Sequence, residues 1–435
     1  MKPYDPLEYL SQLKSKGINL DLGPISRLLQ RLDNPQTQYK TILVGGSNGK
    51  GSVAAIISSI LHGAGVNVGL YTSPHLIDFT ERIRVNNQMI KEEELLELID
   101  EVREVIKEDI TYFEFATALS FLYFCRRHVD IAVLEVGMGG RLDATNVVIP
   151  ELSIITNICL EHQKYLGRNL SVIAREKGGI IKKGGVCITA ARQNKVLNVL
   201  EDISRQKHSR LYRVGREIRM RKSKDGSFSY HGIFKKHKNL EISLIGKHQI
   251  ENTALALGAI EILENRGLNI EEGIVKRGLK DVRWEGRLEV LNENPTLVVD
   301  GAHNPGGISA LCRSLAVDFK YDKLILLFGV LNDKDYKAML RKLSPRADKI
   351  ILTKPGGGRA LPAEKLLPFV GKHNDSVEII ENSEKALVRA FALADKNDLI
   401  CVTGSLYLVG EIKKGFMFYL LEKVFYYVNQ VMFVD

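Results

Sequence analysis

Apolar runs and amphipathic stretches alternate along the first half of the chain. Short runs dominated by Val, Ile and Leu are typical of buried strands, and they lie at 41–44, 66–71, 130–134 and 152–159. Longer segments with helical periodicity lie between them, at 53–61, 91–107 and 114–127. Strands that alternate with helices indicate a parallel, doubly wound sheet, so the pattern predicts an α/β fold.

The strand–helix alternation restarts after the segment 282–287, which contains the only tryptophan, Trp284. Further apolar runs that predict strands lie at 296–299, 323–329, 349–353, 376–380 and 398–403. We therefore expect two domains, a large one over residues 1–284 and a smaller, Rossmann-like α/β domain over residues 285–435.

Two segments stand outside this alternation. Residues 205–238 are strongly basic and alternate charged with apolar positions around Asp225-Gly226, which predicts a solvated hairpin. Residues 416–435 are apolar and aromatic, which predicts a terminal helix packed on the second domain. A face for a partner or a membrane surface is the alternative for this tail.

A glycine-rich segment joins the first predicted strand to the first long helix. It reads Val44-Gly45-Gly46-Ser47-Asn48-Gly49-Lys50-Gly51-Ser52. Glycines let backbone N–H groups converge on phosphate oxygens, and the helix N-terminus and Lys50 add positive charge. The match to a Walker loop is imperfect, because Val44 replaces a glycine and the hydroxyl is displaced to Ser52. We predict a P-loop ATPase-like large domain, with an ordinary βα turn as the alternative.

Three polar residues follow the ends of other predicted strands. Ser73 follows the second strand, Glu135 ends the strand at 130–134, and His162 follows the strand at 152–159. In a parallel sheet all three would lie at the same edge as the glycine-rich loop, where ligands bind. Oxygen ligands suit Mg²⁺, so Glu135 and Ser73 fit it better than His162, for which a cap or a core position is the alternative. The cleft between the two domains is the expected active site.

Composition narrows the class of protein. The 435 residues are 45% hydrophobic and 26% charged, with a formal charge of +9, as in an ordinary globular protein with a basic surface. No nucleic-acid motif and no uncharged stretch of membrane-spanning length occurs, so we expect small anionic substrates and neither nucleic acid nor membrane as partners. Five cysteines without a C-x-x-C pair predict free thiols in a reducing compartment, the cytoplasm.

Four motifs now stand in order along the chain: Gly46–Ser52, Tyr71–Leu76, Glu135–Asn146 and Asp300–Pro305. Together they resemble the folylpolyglutamate synthase/dihydrofolate synthase family, which belongs to the Mur-type ATP-dependent amide ligases. The resemblance covers nearly the whole chain. It implies an enzyme that uses ATP and Mg²⁺ to join L-glutamate to dihydropteroate, to the glutamyl tail of reduced folates, or to both, through an acyl phosphate.

The resemblance also implies roles for individual residues. Lys177 occupies the position that family members carbamylate, which turns an ammonium into an oxygen ligand for a second Mg²⁺; the sequence alone indicates a surface lysine. His303 is a candidate to orient or deprotonate the incoming amine. ATP phosphates are expected on Asn48, Gly49, Lys50, Gly51 and Ser52, and Mg²⁺ on Ser73, Glu135 and His162. Further nucleotide contacts are expected at Asn252, Arg287 and Asp300, and pterin contacts at Thr111, Tyr112, Phe113, Glu114 and Asp143.

Departures from the family pattern are small. Ser47 replaces a threonine, Glu285 stands where proline is common, and Glu161 stands where aspartate is common.

Two alternative functions stay open: another Mur-type ligase, such as a cell-wall precursor enzyme, and a nucleotide-switch protein without ligase activity. The sequence predicts a monomer and does not separate a bifunctional enzyme from one that only extends folates.

Overall fold

The computed structural model of the protein describes residues 5–223, 225–371 and 376–416. It divides into two compact units. The first contains the residues up to 75 together with 79–243 and 248–283. The second contains the residues from 284 onward and also the short segments 76–78 and 244–247. The second unit thus includes two short pieces of chain that lie, in sequence, within the span of the first unit, so one boundary along the sequence does not separate the two units.

An eight-stranded sheet forms the centre of the first unit. Six strands are parallel, in the order β2-β5-β1-β6-β7-β8, and β3 and β4 extend the β2 edge in antiparallel fashion. This confirms the predicted α/β class with a mainly parallel sheet. The strands are β1 (Lys40–Gly45), β2 (Val68–Tyr71), β3 (Ile83–Val85), β4 (Gln88–Met89), β5 (Ile131–Glu135), β6 (Leu152–Ile155), β7 (Val186–Thr189) and β8 (Arg210–Arg213).

Helices cover this sheet because its central strands are apolar along their whole length and need both faces buried. All five residues of β5 are buried, and only Lys40 of β1 is exposed. The helices of the first unit are α1 (Pro6–Gln12), α2 (Gly23–Arg31), α3 (Lys50–Gly63), α4 (Glu92–Glu104), α5 (Tyr112–Arg126), α6 (Gln163–Leu166), α7 (Leu170–Gly178), α8 (Asn194–Gln206), α9 (Lys247–Asn265) and α10 (Glu272–Asp281).

The basic segment 205–238 corrects one expectation. It is not a single hairpin: its start completes α8, and β8 joins the parallel sheet. The remainder forms a separate antiparallel sheet of β9 (Arg219–Lys222), β10 (Phe228–His231) and β11 (Lys236–Leu240). The sequence does not predict the third strand, because its two buried positions, His237 and Leu240, lie among polar and charged residues and only Leu240 is apolar. The turn at Asp225-Gly226 between β9 and β10 is where the sequence predicts it.

The second unit has a six-stranded sheet in the order β12-β13-β17-β14-β15-β16, parallel except for β12. Apolar side chains fill both faces, with Val298 and Leu326 on one side and Leu297 and Leu327 on the other. The elements are β12 (Glu289–Glu293), β13 (Thr296–Asp300), α11 (Pro305–Val317), β14 (Leu324–Phe328), α12 (Tyr336–Leu343), β15 (Lys349–Leu352), β16 (Val377–Ile379), α13 (Ser383–Leu393) and β17 (Leu399–Thr403).

Residues 406–416 continue from β17 as a helical segment. The predicted terminal helix over 416–435 lies, beyond Phe416, outside the described residues. Among the helices of the described ranges, none is long and apolar enough to cross a bilayer.

Candidate active site

The glycine-rich loop connects β1 to α3, and two glycines in it have backbone conformations that other residues avoid. Gly46 has φ 129° and Gly49 has φ 85°. A Cβ on Gly46 would overlap the Thr156 hydroxyl, and one on Gly49 would lie 3.1 Å from Asn252 Cγ. Neighbouring chain therefore approaches the loop so closely that only glycine fits.

Helix α3 begins at the end of this loop. Its N-cap is Gly49, and no side chain of the described residues caps it or adds a carboxylate to its first turn. Backbone N–H groups at such an uncapped N-terminus are available to an anion, and the helix dipole favours negative charge there. With Lys50 at the first helical position, the loop has the parts of a phosphate site.

The segment after β6 holds the loop in place, a contact that the motif does not reveal. Asn157 accepts two hydrogen bonds from the loop. The backbone N–H of Ser47 donates to the Asn157 carbonyl oxygen at 2.8 Å, and the backbone N–H of Asn48 donates to the Asn157 side-chain oxygen at 3.1 Å. The N–H of Cys159 donates to the Ser47 hydroxyl at 3.0 Å. The hydroxyl that Ser47 shares with the more usual threonine therefore has a structural use.

Glu135 and Ser73 lie together near Lys50, as their positions at the ends of β5 and β2 predict. Glu135 is buried, and its Oε2 accepts the backbone N–H of Ser73 at 3.1 Å. Its Oε1 lies 3.9 Å from Lys50 Nζ. A carboxylate and a hydroxyl at the ends of adjacent strands supply the oxygen donors that Mg²⁺ prefers, so the residues fit this ion.

His162 is placed less directly. It precedes α6 with φ 45°, a left-handed conformation. Within the described part of the chain, no three His, Cys, Asp or Glu side chains are arranged to hold a metal ion. The proposed set uses only two residues of these types, Glu135 and His162, with a serine as the third. The roles of all three as ligands stay a prediction.

Lys177 is not the surface lysine that the sequence alone indicates. Its side chain is 2% exposed, and its ammonium lies 2.7 Å from Glu161 Oε1 and donates to the carbonyl oxygen of Gly46 at 2.8 Å. Burial lowers the pKa of Lys177, and Glu161 opposes that shift. Burial acts to raise the pKa of Glu161, but Lys177 and Lys50 together hold it at about 2. The pair ties α7 to the phosphate loop.

Asn252 lies on the first turns of α9, next to Gly49. Its side-chain N–H donates to Gln249 Oε1 at 2.8 Å, and Gln249 is fully buried. Among the described residues, no hydrogen-bond partner is found for Gln249 Nε2. Gln249, which the sequence reasoning did not select, fixes the orientation of the Asn252 amide beside the loop.

The residues expected at the pterin divide into two groups. Thr111 and Glu114 form a capping box at the start of α5, with Thr111 donating to Glu114 Oε2 from its N–H at 2.9 Å and its hydroxyl at 2.6 Å. Their polar atoms therefore stabilise a helix end. Phe113 packs on the loop after β5, since a Cβ on Gly137 would lie 2.5 Å from its ring. The guanidinium carbon of Arg82 lies over the Tyr112 ring, 5.3 Å from the ring centroid.

Asp143 organises that same loop. It accepts from Met138 N at 2.9 Å and from the N–H and hydroxyl of Thr145 at 3.1 and 2.6 Å. Burial raises the pKa of its carboxyl, and these donors oppose the shift. Phe113 thus packs on this loop from outside, and Asp143 holds it from within.

In the second unit, Asp300, Arg287 and His303 meet at the carboxyl end of β13. Asp300 accepts from the N–H of Leu288 at 3.0 Å and of Ala302 at 2.9 Å. A Cβ on Gly301 would overlap Arg287 Nη1, so the guanidinium packs against this backbone. His303 Nδ1 lies 2.8 Å from the carbonyl oxygen of Gly301. A carbonyl only accepts, so Nδ1 carries a proton, and in the neutral imidazole Nε2 is then the nitrogen that can accept one.

Cationic side chains at the same edge of this sheet were not selected from the sequence. Lys354 and Arg359 flank three consecutive glycines after β15, all exposed. Arg359 Nη2 donates to the Tyr407 hydroxyl at 3.4 Å. Their position after a strand of a parallel sheet is the signal that could have found them.

Comparison with known proteins defines the class. Residues 44–260 match the Mur ligase middle domain, and residues 286–406 match the Mur ligase glutamate ligase domain. The chain is 34% identical over 412 residues to the dihydrofolate synthase/folylpolyglutamate synthase of Bacillus subtilis, covering 92% of this chain and 95% of that one. It is 35% identical over 405 residues to the folylpolyglutamate synthase of Lacticaseibacillus casei, covering 90% and 93%.

Solved structures agree. The FolC protein of Escherichia coli in complex with DHPP and ADP superposes with a TM-score of 0.88 at 30% identity, covering 95% of this chain and 97% of that one. The folylpolyglutamate synthase of Mycobacterium tuberculosis complexed with ADP gives a TM-score of 0.87 at 31% identity, covering 94% and 98%. The fold is that of an ATP-dependent Mur-type ligase. The chain belongs to the folylpolyglutamate synthase/dihydrofolate synthase family, which confirms the resemblance.

Proposed function

We propose that this protein joins L-glutamate to dihydropteroate, and to the terminal glutamate of reduced folates, at the expense of ATP. The observation that carries the proposal is the phosphate loop, with its uncapped α3 N-terminus and Lys50, beside the buried Glu135. A carboxylate is a poor acyl donor because its oxygen is a poor leaving group. Phosphorylation turns that oxygen into part of a phosphate, which leaves readily.

The reaction has two steps. In the first, a carboxylate oxygen of the folate or pteroate forms a bond to the γ-phosphorus while the bond to ADP breaks. In the second, the amine of glutamate attacks the acyl carbon, phosphate departs, and the amine loses a proton. We assign the phosphates of ATP to Asn48, Gly49, Lys50, Gly51 and Ser52, because backbone N–H groups and Lys50 offset the repulsion between carboxylate and triphosphate.

Ser73, Glu135 and His162 would hold Mg²⁺, which lowers the charge of the triphosphate when bound. A structure of the Yersinia pestis relative contains AMPPNP and Mn. We further propose that a carbamylated Lys177 would serve a second ion. Its support is the family resemblance and the position of the Lys177 amine, buried against the Gly46 carbonyl oxygen of the phosphate loop.

Binding of the pterin is assigned to the segment 137–143 together with Tyr112 and Phe113. The support is that Phe113 packs on Gly137 and that Asp143 fixes Met138. Thr111 and Glu114 would act through the α5 cap. In the second unit we assign Arg287 and Asp300 to the nucleotide and His303 to the amine of glutamate, with Nε2 as the acceptor of its proton. We keep a monomeric, cytoplasmic enzyme as part of the proposal.

The test is phosphate release from MgATP and glutamate, with dihydropteroate, tetrahydrofolate or no acceptor, and products identified by mass. Release with both acceptors, and one glutamate added to each, is the expected result. Lys50→Met should abolish it, while Lys40→Met, at the opposite end of β1, should not. Release with tetrahydrofolate alone would contradict the dihydropteroate assignment. Release independent of any acceptor would overturn the ligase proposal.

A further inference from the structure

A buried ammonium lies in the second unit, away from the phosphate loop. Lys413, on the helical segment 406–416, is 8% exposed. Its Nζ donates to Glu285 Oε2 at 2.6 Å and to Glu289 Oε1 and Oε2 at 2.7 and 2.9 Å. An ammonium is buried at a high desolvation cost unless carboxylates surround it. Three short hydrogen bonds to two carboxylates meet that condition and fix both glutamates to one point.

The two glutamates flank the turn that carries Arg287. Glu289 Oε2, one of the oxygens that Lys413 binds, also accepts the N–H of Gly286 at 2.7 Å. The Gly286 carbonyl oxygen in turn accepts from Gly301 N at 2.8 Å and from Arg287 Nη1 at 3.1 Å. A continuous series of hydrogen bonds therefore runs from Lys413 through Glu289 and Gly286 to the guanidinium of Arg287.

The position of the Arg287 side chain is constrained by the residues on either side of it. Gly286 has φ 67°, so the turn uses a left-handed conformation that favours glycine. Arg287 Nη1 lies so near the Gly301 backbone that a Cβ there would overlap it. The Asp300 carboxylate accepts the backbone N–H of Ala302. A shift of the turn would therefore move the Arg287 guanidinium relative to both of these residues.

We propose that Lys413 is a positioning residue for nucleotide binding, acting through Glu285, Glu289 and the Gly286 turn on Arg287. The inference depends on the proposed function, in which Arg287 contacts the nucleotide. Glu285 is one of the two carboxylates that hold Lys413 in this arrangement. The proline common at its position could not supply the carboxylate that Lys413 binds here.

The test is a double-mutant cycle between Lys413→Met and Arg287→Ala, read as the KM for ATP and as kcat, with the KM for glutamate as an internal reference. Because a small misplacement of a binding group weakens its contribution strongly, we expect Lys413→Met to raise the KM for ATP about tenfold. In the Arg287→Ala background it should add nothing. Lys413→Arg should retain most of the affinity, because it keeps a charge that both carboxylates can bind.

Lys323→Met is the matched control, because it removes another ammonium of the second unit, which pairs with Asp395 at 3.2 Å, without touching the 285–289 turn. It should leave the KM for ATP unchanged. If Lys413→Met does not fold, Glu285→Ala replaces it, since Glu285 is 46% exposed in its side chain and its truncation removes one of the three hydrogen bonds.

The outcomes distinguish a failure of the nucleotide role proposed for Arg287 from a failure of the positioning role proposed for Lys413. An Arg287→Ala variant with unchanged KM for ATP would overturn the proposed nucleotide role of Arg287. A large effect of Arg287→Ala together with a Lys413→Met effect that is undiminished in its background would leave that role intact and overturn the positioning inference. A Lys413→Met variant that loses only thermal stability would overturn it as well.

Discussion

The Lys177 ammonium donates to the carbonyl oxygen of Gly46 at 2.8 Å, although 131 positions of chain separate the two residues. The same ammonium pairs with Glu161, whose side chain is 9% exposed. Lys177 thus links α7, the segment after β6 and the phosphate loop. Whatever its chemical state during turnover, its position makes the loop depend on it.

Replacing Lys177 with methionine should destabilise the protein strongly. The variant leaves the Glu161 carboxylate buried without its counter-ion, which costs about 3–5 kcal/mol. The measurement is the free energy of unfolding from urea titration at pH 7. The double variant Lys177→Met/Glu161→Gln should recover part of that loss, because it leaves no unpaired charge, yet it should not recover ATP turnover. A double variant no more stable than the single one would contradict the ion-pair explanation.

Gly46→Ala should affect both stability and nucleotide binding. The added methyl would overlap the Thr156 hydroxyl, and the position has φ 129°. Gly65→Ala is the matched comparison, with φ 79° and open space where its Cβ would lie. We expect Gly65→Ala to cost about 1–2 kcal/mol from backbone strain alone. Gly46→Ala should lower the stability more than Gly65→Ala does and should also weaken ATP binding, measured by calorimetry with a non-hydrolysable analogue. Equal losses of stability in the two variants would show that the contact with Thr156 adds nothing to the backbone strain.

Lys182 should make stability depend on pH in the alkaline range. Its Nζ donates to the carbonyl oxygen of Asn146 at 2.8 Å, and burial, helped by the charge of Lys207, lowers its pKa to about 8. In the unfolded chain the group titrates near 10.5. Between these values the unfolded state binds more protons, so stability rises with pH. The penalty for burying the charge is fully present below about pH 8.

The measurement compares urea unfolding of wild type and Lys182→Met at pH 7 and pH 10. Wild type should gain stability relative to the variant as the pH rises, by about 1 kcal/mol after allowance for partial exposure. Lysines and tyrosines that do not interact with Lys182 titrate alike in both proteins and cancel in the difference, whereas the interaction with Lys207 is part of the effect measured. A difference that is flat with pH, or that falls, would show that Lys182 stays charged in the folded state.

The sequence predicts the sheet and the loop because both depend on local patterns. The apolar runs at 41–44 and 130–134 mark central strands, and parallel pairing brings Glu135 and Ser73 to the phosphate loop without further information. The turn after β1 has two glycines whose positive φ the motif anticipates.

What the sequence does not reveal are contacts between distant segments. Nothing local distinguishes Lys177 from the exposed lysines of other helices, because its burial depends on Glu161 and Gly46. Asn157 and Gln249 escape notice for the same reason: their partners lie on the phosphate loop and on Asn252. Thr111 and Glu114 resemble substrate ligands and a capping box equally well in sequence, and the structure shows them engaged in the cap.

His303 offers the sharpest test of the second chemical step. Its Nδ1–H donates to the Gly301 carbonyl oxygen at 2.8 Å, which leaves Nε2 as the nitrogen that can accept a proton from the attacking amine. His303→Ala should therefore slow amide formation about a hundredfold, within the usual range for loss of a general base. Formation of the acyl phosphate should be unaffected. Hydroxylamine, which is uncharged at neutral pH and needs no base, reports that step by giving a hydroxamate.

The experiment runs wild type and variant with glutamate or with hydroxylamine as the nucleophile, and measures both products by mass. We expect His303→Ala to make hydroxamate at the wild-type rate and amide about a hundredfold more slowly. His231→Ala, which removes an exposed histidine of β10, should change neither. Equal losses of both products would place His303 in the first step or in structural support, because a base for the amine has no part in capture by hydroxylamine.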